Sequence, residues 1–272
     1  MPKTLREEFP SVIDVAYGEY KKSRHVFDIM SRDAVFIEPS ATMMDAARIM
    51  GERRIGSLLL VGDERPSGIV TERDLLTRVI ASNKDPKKVA VKEVASPRLI
   101  TIRPYASIKE AAMTMIKQKG RLVVMEGRRL HGVVTASDLI RSLPDVPETS
   151  TLVKDFMTKE VRRAGPDEKV IDIAKVMGKE RIGSVIVDMA DNRCGIFTER
   201  DLLTKVIYRG GGLDDPIGSY TSSPLVTVGP YWSVHRSAKL MAQKHVRRLP
   251  VLEGSKMEGI ITARDLVEAY AL

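Results

Sequence analysis

The sequence predicts an α+β protein made of four copies of one β-α-β-β-α unit, and three observations carry that expectation. First, a pattern of glycine, two apolar residues, threonine, two variable residues, aspartate and leucine starts at Gly68, Gly132, Gly195 and Gly259. These glycines lie 64, 63 and 64 residues apart, too regular for chance recurrence. Second, upstream of each signature a proline (Pro39, Pro104, Pro166, Pro230) is followed eight residues later by alanine and three further on by methionine. Third, units near 64 residues are marginal alone, so in a chain of 272 residues they should pair to bury shared cores.

In chain order, 1–25 form an N-terminal extension with a brief helical pattern over Ser11 to Lys22. The repeats follow at 26–85, 86–143, 151–210 and 211–272, and 144–150, with Pro144, Asp145 and Pro147, is the linker between the second and third. In the first repeat Val35-Phe36-Ile37 reads as a strand and Thr42 to Arg53 as a helix. The alanines (Ala47, Ala112, Ala174, Ala238) and methionines (Met50, Met115, Met177, Met241) then share one helix face as core packing, with no metal role. A second strand follows at Ser57 to Val61, Leu122 to Met125, Ser184 to Val187 and Leu249 to Leu252, then a turn and the signature strand. Leu75, Leu76, Val79 and Ile80 mark an amphipathic closing helix. Gly210-Gly211-Gly212 reads as a flexible joint. The first and third repeats share Arg-Ile-Gly-Ser and Thr-Glu-Arg-Asp-Leu-Leu-Thr, which points to duplication of a two-unit module and predicts that cutting the linker yields two folded halves.

Composition narrows the function. Net charge is +8 with a pI near 9.5, but acidic and basic residues are mixed throughout, a balance that mildly favours anionic ligands. Aromatic residues make up only 5% and do not alternate with basic ones, which argues against a stacking surface for nucleic acid. No apolar run is long enough for a membrane span, and the charged N-terminus lacks a signal-peptide core. Cys194, the single cysteine, excludes an internal disulfide, so a cytoplasmic location is expected. His25, His131, His235 and His245 show no metal-ligand spacing with Cys194. No nucleophile elbow, Walker loop or nucleophile–histidine pairing is present, so no enzyme is expected.

The signature itself suggests a site. Thr71, Thr135, Thr198 and Thr262 stand where a strand turns into a helix, a place whose N–H groups and hydroxyl suit a phosphate. Asp74, Asp138, Asp201 and Asp265 fall in the first turn, where a carboxylate can accept from the two hydroxyls of a ribose. The same Thr-x-x-Asp is a variant capping box, which needs no ligand; aspartate in all four copies, where such a box prefers Glu or Gln, favours a site. Hydroxyl residues eight positions before each proline, Ser31, Ser96, Thr158 and Ser222, are further candidates.

On these residues the chain resembles a tandem of four cystathionine beta-synthase (CBS) domains, that is, two Bateman modules, over about Val26 to Leu272. The resemblance rests on Met30-Ser31 and Met157-Thr158, the proline, the Ala-x-x-Met helix and Gly-h-h-Thr-x-x-Asp occurring in order. It implies pairs of repeats packed sheet to sheet, with clefts that bind AMP, ADP or ATP and, less favoured, S-adenosylmethionine. It also implies that the threonines contact phosphate, the aspartates ribose, and the backbone around Ser31, Ser96, Thr158 and Ser222 adenine. Four repeats without another domain are similar in architecture to the gamma subunit of AMP-activated protein kinase, in which basic residues before the second strand bind phosphates. Arg247 and Arg248 match that place, and the second repeat departs with Gly120-Arg121 there and Ser137 where the others have arginine. The implied role is a regulatory, energy-sensing protein that signals to an unidentified partner, either as one disc of two modules or as a homodimer. A nucleic-acid-binding protein regulated by nucleotide or S-adenosylmethionine is the alternative. With Thr262, Asp265 and three nearby arginines, Arg247, Arg248 and Arg264, the fourth repeat is expected to offer one of the best sites.

Overall fold

In a computed structural model, which describes residues 24–63, 65–143, 151–190 and 193–271, the apolar runs become four small sheets. β1 (Phe36–Ile37) pairs parallel with β2 (Ser57–Leu60), which pairs antiparallel with β3 (Gly68–Thr71). The order recurs in β4 (Thr101–Ile102), β5 (Leu122–Glu126) and β6 (Arg129–Val134), and in β7 (Arg163–Ala164), β8 (Ser184–Asp188) and β9 (Cys194–Thr198). In the fourth repeat β10 (Arg248–Glu253) pairs antiparallel with β11 (Lys256–Thr262), and a single parallel bridge from Val228 to Val251 stands where a first strand would be.

A parallel strand pair needs a crossover, which the proline-to-methionine segments supply. The crossover helices α1 (Met43–Glu52), α3 (Ile108–Gln118), α5 (Val170–Glu180) and α7 (Val234–Lys244) alternate with the signature helices α2 (Glu72–Asp74), α4 (Ala136–Arg141), α6 (Glu199–Asp201) and α8 (Ala263–Ala271). α2 and α6 continue directly as π-helices, Leu75–Ile80 and Leu202–Ile207. The alanines and methionines three apart, Ala47 with Met50 through Ala238 with Met241, are all buried on the crossover helices, as the periodicity requires.

The chain forms two compact units, and they do not follow the order of the repeats. One, the odd unit, comprises Ala34–Leu99 and Glu160–Val226; the other, the even unit, takes the remaining segments, described over 24–33, 100–143, 151–159 and 227–271. Each unit therefore draws on both sides of the linker. In the odd unit one hydrophobic core runs through Met43, Met50, Val70 and Leu76 of the first repeat and Met177, Phe197, Leu203 and Val206 of the third. Helices approach closely there: a Cβ on Gly178 would lie 2.6 Å from that of Ala81, a distance no side chain tolerates. In the even unit α8 packs on α3, α4 and α7.

The segment leading into each repeat is handed to the sheet of another. Ser31 exchanges backbone bonds of 3.0 Å with Val133, and Ser96 exchanges bonds of 2.9 and 3.0 Å with Ile69. Thr158 bonds Ile260, and Ser222 bonds Ile196, at 2.9 Å in both directions. The signature glycine makes this possible, because a Cβ on Gly132 would sit 2.3 Å from the Ser31 carbonyl oxygen and one on Gly259 2.6 Å from that of Thr158.

The expectation for the triple glycine is corrected. The triple glycine read as a flexible joint is pinned: Gly211 N–H donates to the Val206 carbonyl at 2.7 Å and Gly212 N–H to Asp215 Oδ2 at 2.8 Å. The Tyr220 hydroxyl donates to the same carboxylate, and these bonds hold the Asp215 carboxyl below the usual aspartate range. The helical pattern at 11–22 and the linker 144–150 lie outside the described residues.

Candidate functional site

Each signature strand ends on or just before a threonine in extended conformation and turns at once into a helix, so capping chemistry comes first. In all four copies the threonine N–H and hydroxyl both donate to Oδ2 of the aspartate three residues on, at 2.9 and 2.6 Å for Thr71 and Asp74, and at 2.8 and 2.7 Å for Thr135 and Asp138. The distances are 2.9 and 2.6 Å for Thr198 and Asp201, and 2.8 and 2.9 Å for Thr262 and Asp265. Because a carboxylate only accepts, the hydroxyl proton is committed to the aspartate and is not turned outward. The return bond, from the aspartate N–H to the threonine Oγ1, is present in the first, third and fourth copies at 3.3, 3.2 and 3.4 Å. In the second, Asp138 N–H donates to the Thr135 carbonyl instead. Aspartate, one methylene shorter than the usual Glu, thus completes the box and is fully engaged through one oxygen.

The other oxygen, Oδ1, distinguishes the copies. At Asp201 it takes Lys205 Nζ at 2.8 Å and the Ser222 hydroxyl at 3.0 Å. At Asp74 it faces Arg78 Nε at 3.4 Å, and at Asp138 it is held by Arg141. At Asp265 it meets no donor among the described residues, because the position one turn on is Ala269. A carboxylate offers about four acceptor positions. The threonine fills those of Oδ2 everywhere, so Asp265 keeps both positions on Oδ1 open, Asp74 and Asp138 one each, and Asp201 neither. Asp74, Asp138 and Asp201 are buried, whereas Asp265 is half-buried. Burial without a neutralising ion pair raises the Asp265 carboxyl above its ordinary 3.8; the bonds from Thr262 oppose the shift, Glu268 adds to it, and Arg264 counters it weakly.

Strand exchange decides which hydroxyl residue meets which signature. Ser31 lies beside the strand that leads into Thr135, Ser96 beside that ending at Thr71, Thr158 beside that ending at Thr262, and Ser222 beside that ending at Thr198. The place before the second strand, adjacent to the signature threonine in the ladder, is Gly56-Ser57 in the first repeat, Gly183-Ser184 in the third and Arg247-Arg248 in the fourth. Arg248 pairs with Thr262, and the Arg247 carbonyl accepts from Ala263 N–H at 2.9 Å. Arg264 reaches elsewhere, with Nη2 donating to the Ile116 carbonyl at 3.0 Å at the far end of α3.

The periodicity gave no hint of the acidic residues beside the signature threonines. In the odd unit Arg73 pairs with Glu199 at 2.8 Å and Arg200 pairs with Glu72, so the two signatures cross. Each arginine also donates at 3.1 Å to the end of the opposite crossover helix, Arg73 to the Arg181 carbonyl and Arg200 to that of Arg54. The shared Thr-Glu-Arg-Asp of the first and third repeats was the available signal. The cations at Arg78, Arg141 and Lys205 were legible as three- or four-residue spacings from the aspartates. Among the described residues no group of three or more His, Cys, Asp or Glu could hold a metal ion, and no helix is long and apolar enough to cross a membrane.

Comparison with known proteins agrees with this architecture. The CBS domain family matches residues 26–81, 91–145, 153–208 and 217–272. Protein MK0525 of Methanopyrus kandleri is 37% identical over 122 residues, 44% of this chain and 62% of that protein, so the chain spans less than two thirds of this relative. Protein MJ1225 of Methanocaldococcus jannaschii is 23% identical over 271 residues, 89% of this chain and 96% of that protein. The crystal structure of MJ1225, described as a proposed archaeal homologue of g-AMPK, superposes with a TM-score of 0.75 at 22% identity, over 91% of this chain and all of that one. A conserved protein of Pyrococcus horikoshii superposes with a TM-score of 0.62 at 19% identity, over 90% of this chain and 99% of that one. At such identities the superpositions establish the fold, and with four matched domains covering most of its length, the chain belongs to the CBS domain family.

Proposed function

We propose that this chain is a regulatory ligand-binding protein that takes an adenine nucleotide, AMP, ADP or ATP, at its signature turns and signals occupancy to a partner protein. The observation that carries the reading is Asp265. Its inner oxygen is held by Thr262, and its outer oxygen, unpaired among the described residues, has room for two hydroxyl donors, the number a ribose presents. Arg247 and Arg248 stand next to Thr262 in the ladder, where a phosphate attached to that ribose would need cationic neighbours. A cationic sulfonium would gain less there, which favours a nucleotide over S-adenosylmethionine. The likeness to a structure described as a proposed homologue of g-AMPK points the same way.

Native mass spectrometry of the purified chain with AMP, ADP and ATP, together with calorimetric titration of wild type and Asp265→Ala, tests the reading. Binding that weakens on loss of Asp265 supports it. Equal affinity in the two proteins, with a lowered melting temperature, would show that Asp265 is only a cap.

A further inference from the structure

The geometry points to Lys205 as a built-in occupant of the third repeat's turn, so that this turn accepts a phosphorylated adenine ligand and rejects an uncharged nucleoside. The assignment rests on the adenine-nucleotide reading above and goes beyond it by setting the ligand class of a single site.

Lys205 Nζ makes three contacts of 2.8 Å, to Asp201 Oδ1, to the Ser222 hydroxyl and to the Tyr220 carbonyl. The ammonium has three donors, and this arrangement uses them all. The Ser222 hydroxyl in turn donates a hydrogen bond to Asp201 Oδ1 at 3.0 Å, so lysine, serine and aspartate close on one another. Thr198 fills Oδ2, which leaves Asp201 without a free acceptor position. The groups that a ribose and an adenine would use, the aspartate carboxylate and the segment at Ser222, are thus bridged by one protein cation.

A ribose reaches Asp201 only by displacing that cation. Lys205 is about two-thirds buried, and an ammonium moved off its carboxylate without a new partner is costly. An uncharged nucleoside offers no anion in exchange, whereas a nucleotide brings its own phosphate to take over the ammonium. The fourth repeat lacks this constraint, since Ala269 stands where the third repeat has Lys205 and Asp265 Oδ1 meets no donor among the described residues. Adenosine and ATP should therefore both enter the fourth repeat's turn, and only ATP the third's.

Counting bound adenosine and bound ATP by native mass spectrometry, with calorimetry for affinity, tests this on the full-length chain. Lys205→Met should bind one more adenosine than wild type, and the additional molecule should be lost again in Lys205→Met/Asp201→Ala. ATP affinity at the same turn should fall by about 10- to 100-fold in Lys205→Met, the loss of one charge-assisted contact. Should Lys205→Met fail to fold, Lys205→Gln, which keeps a hydrogen-bond donor but not the charge, should show the same ATP loss. An unchanged adenosine count and ATP affinity in a folded variant overturns the role of Lys205. If neither adenosine nor ATP binds wild type at any turn, the nucleotide reading itself has failed, a result distinct from the first.

Discussion

The odd and even units carry the same signature and differ in what surrounds it. In the odd unit Glu72 and Glu199 are buried and each is paired with the arginine of the opposite signature, and Asp201 and Asp74 each face a cation one turn along their own helix. Those helices run as π-helices after the first turn. In the even unit the glutamates are replaced by Ala136 and Ala263, the closing helices are regular, and the place before the second strand gains Arg121 in one repeat and Arg247-Arg248 in the other. The acidic groups reflect this split. Asp45, Asp188 and Asp215 of the odd unit are all held below 3.8 by hydrogen bonds, from Thr42, Arg163 and Tyr220 respectively, while Asp265 of the even unit is raised by burial. A capping box can either close on itself through ion pairs or keep an acceptor open, and what decides is the residue one turn further on.

The largest expected effect would break the odd unit's side of this comparison. Glu72→Ala should cost about 2 kcal/mol, because it removes the buried carboxylate that pairs with the part-buried Arg200 guanidinium, which keeps only its bond to the Arg54 carbonyl among those described. In a double-mutant cycle, Glu72→Ala with Arg200→Met should cost clearly less than the two single changes together. Urea denaturation measures both, and a cost for Glu72→Ala within about 0.5 kcal/mol of zero would mean that the crossed pairs are surface decoration.

Next comes the contrast between two aspartates. Asp265→Ala should weaken AMP binding by about 10- to 100-fold through two lost ribose bonds, while costing about 1 kcal/mol of stability as a lost cap. Asp201→Ala should do the reverse for adenosine: no change in affinity, and a stability loss of about 2 kcal/mol because Lys205 also loses its carboxylate. Calorimetry beside thermal melts reads both quantities, and a reversal of the two patterns would remove the distinction between the turns.

A smaller effect follows from the raised Asp265. An acid whose folded pKa lies above 3.8 takes up its proton sooner as pH falls, and a protonated carboxyl loses one of its acceptor positions. Adenosine, which has no phosphate to titrate, should therefore bind the fourth repeat progressively more weakly as pH is lowered through that raised value, the loss beginning above 3.8. Stability behaves differently. The lowered carboxylates of the odd unit contribute fully above 3.8 and lose their contribution only as pH falls through their lower folded values. Titrations with adenosine across this range, beside melts at the same pH, check both directions; pH-independent binding counts against a carboxylate contact.

The smallest effect is expected from cutting the chain at 144–150. Because each unit is assembled from both sides of this segment, the fragments should co-elute on size exclusion rather than separate as independent halves. Separation into two folded, monomeric fragments would show that the cores described for the odd and even units do not hold the halves together.

The sequence by itself determined the repeat, its strand and helix order, the buried alanine and methionine faces, and the Thr-x-x-Asp turn. All of these are local or periodic, and periodicity of 2 or 3.6 residues is written directly into side-chain type. It did not determine that Ser222, not Thr158, meets Asp201, since the exchange of lead-in segments is a pairing between residues far apart in the chain. Nor did it show that Gly211 is fastened to Val206 and Gly212 to an Asp215 held by Tyr220, because glycine reports conformational freedom and not what occupies the space around it. Above all, four nearly identical signatures hid four different carboxylates. Whether an aspartate oxygen is open depends on which cation the helix turn and the neighbouring segment place within about 3 Å of it, and only the tertiary structure fixes that distance.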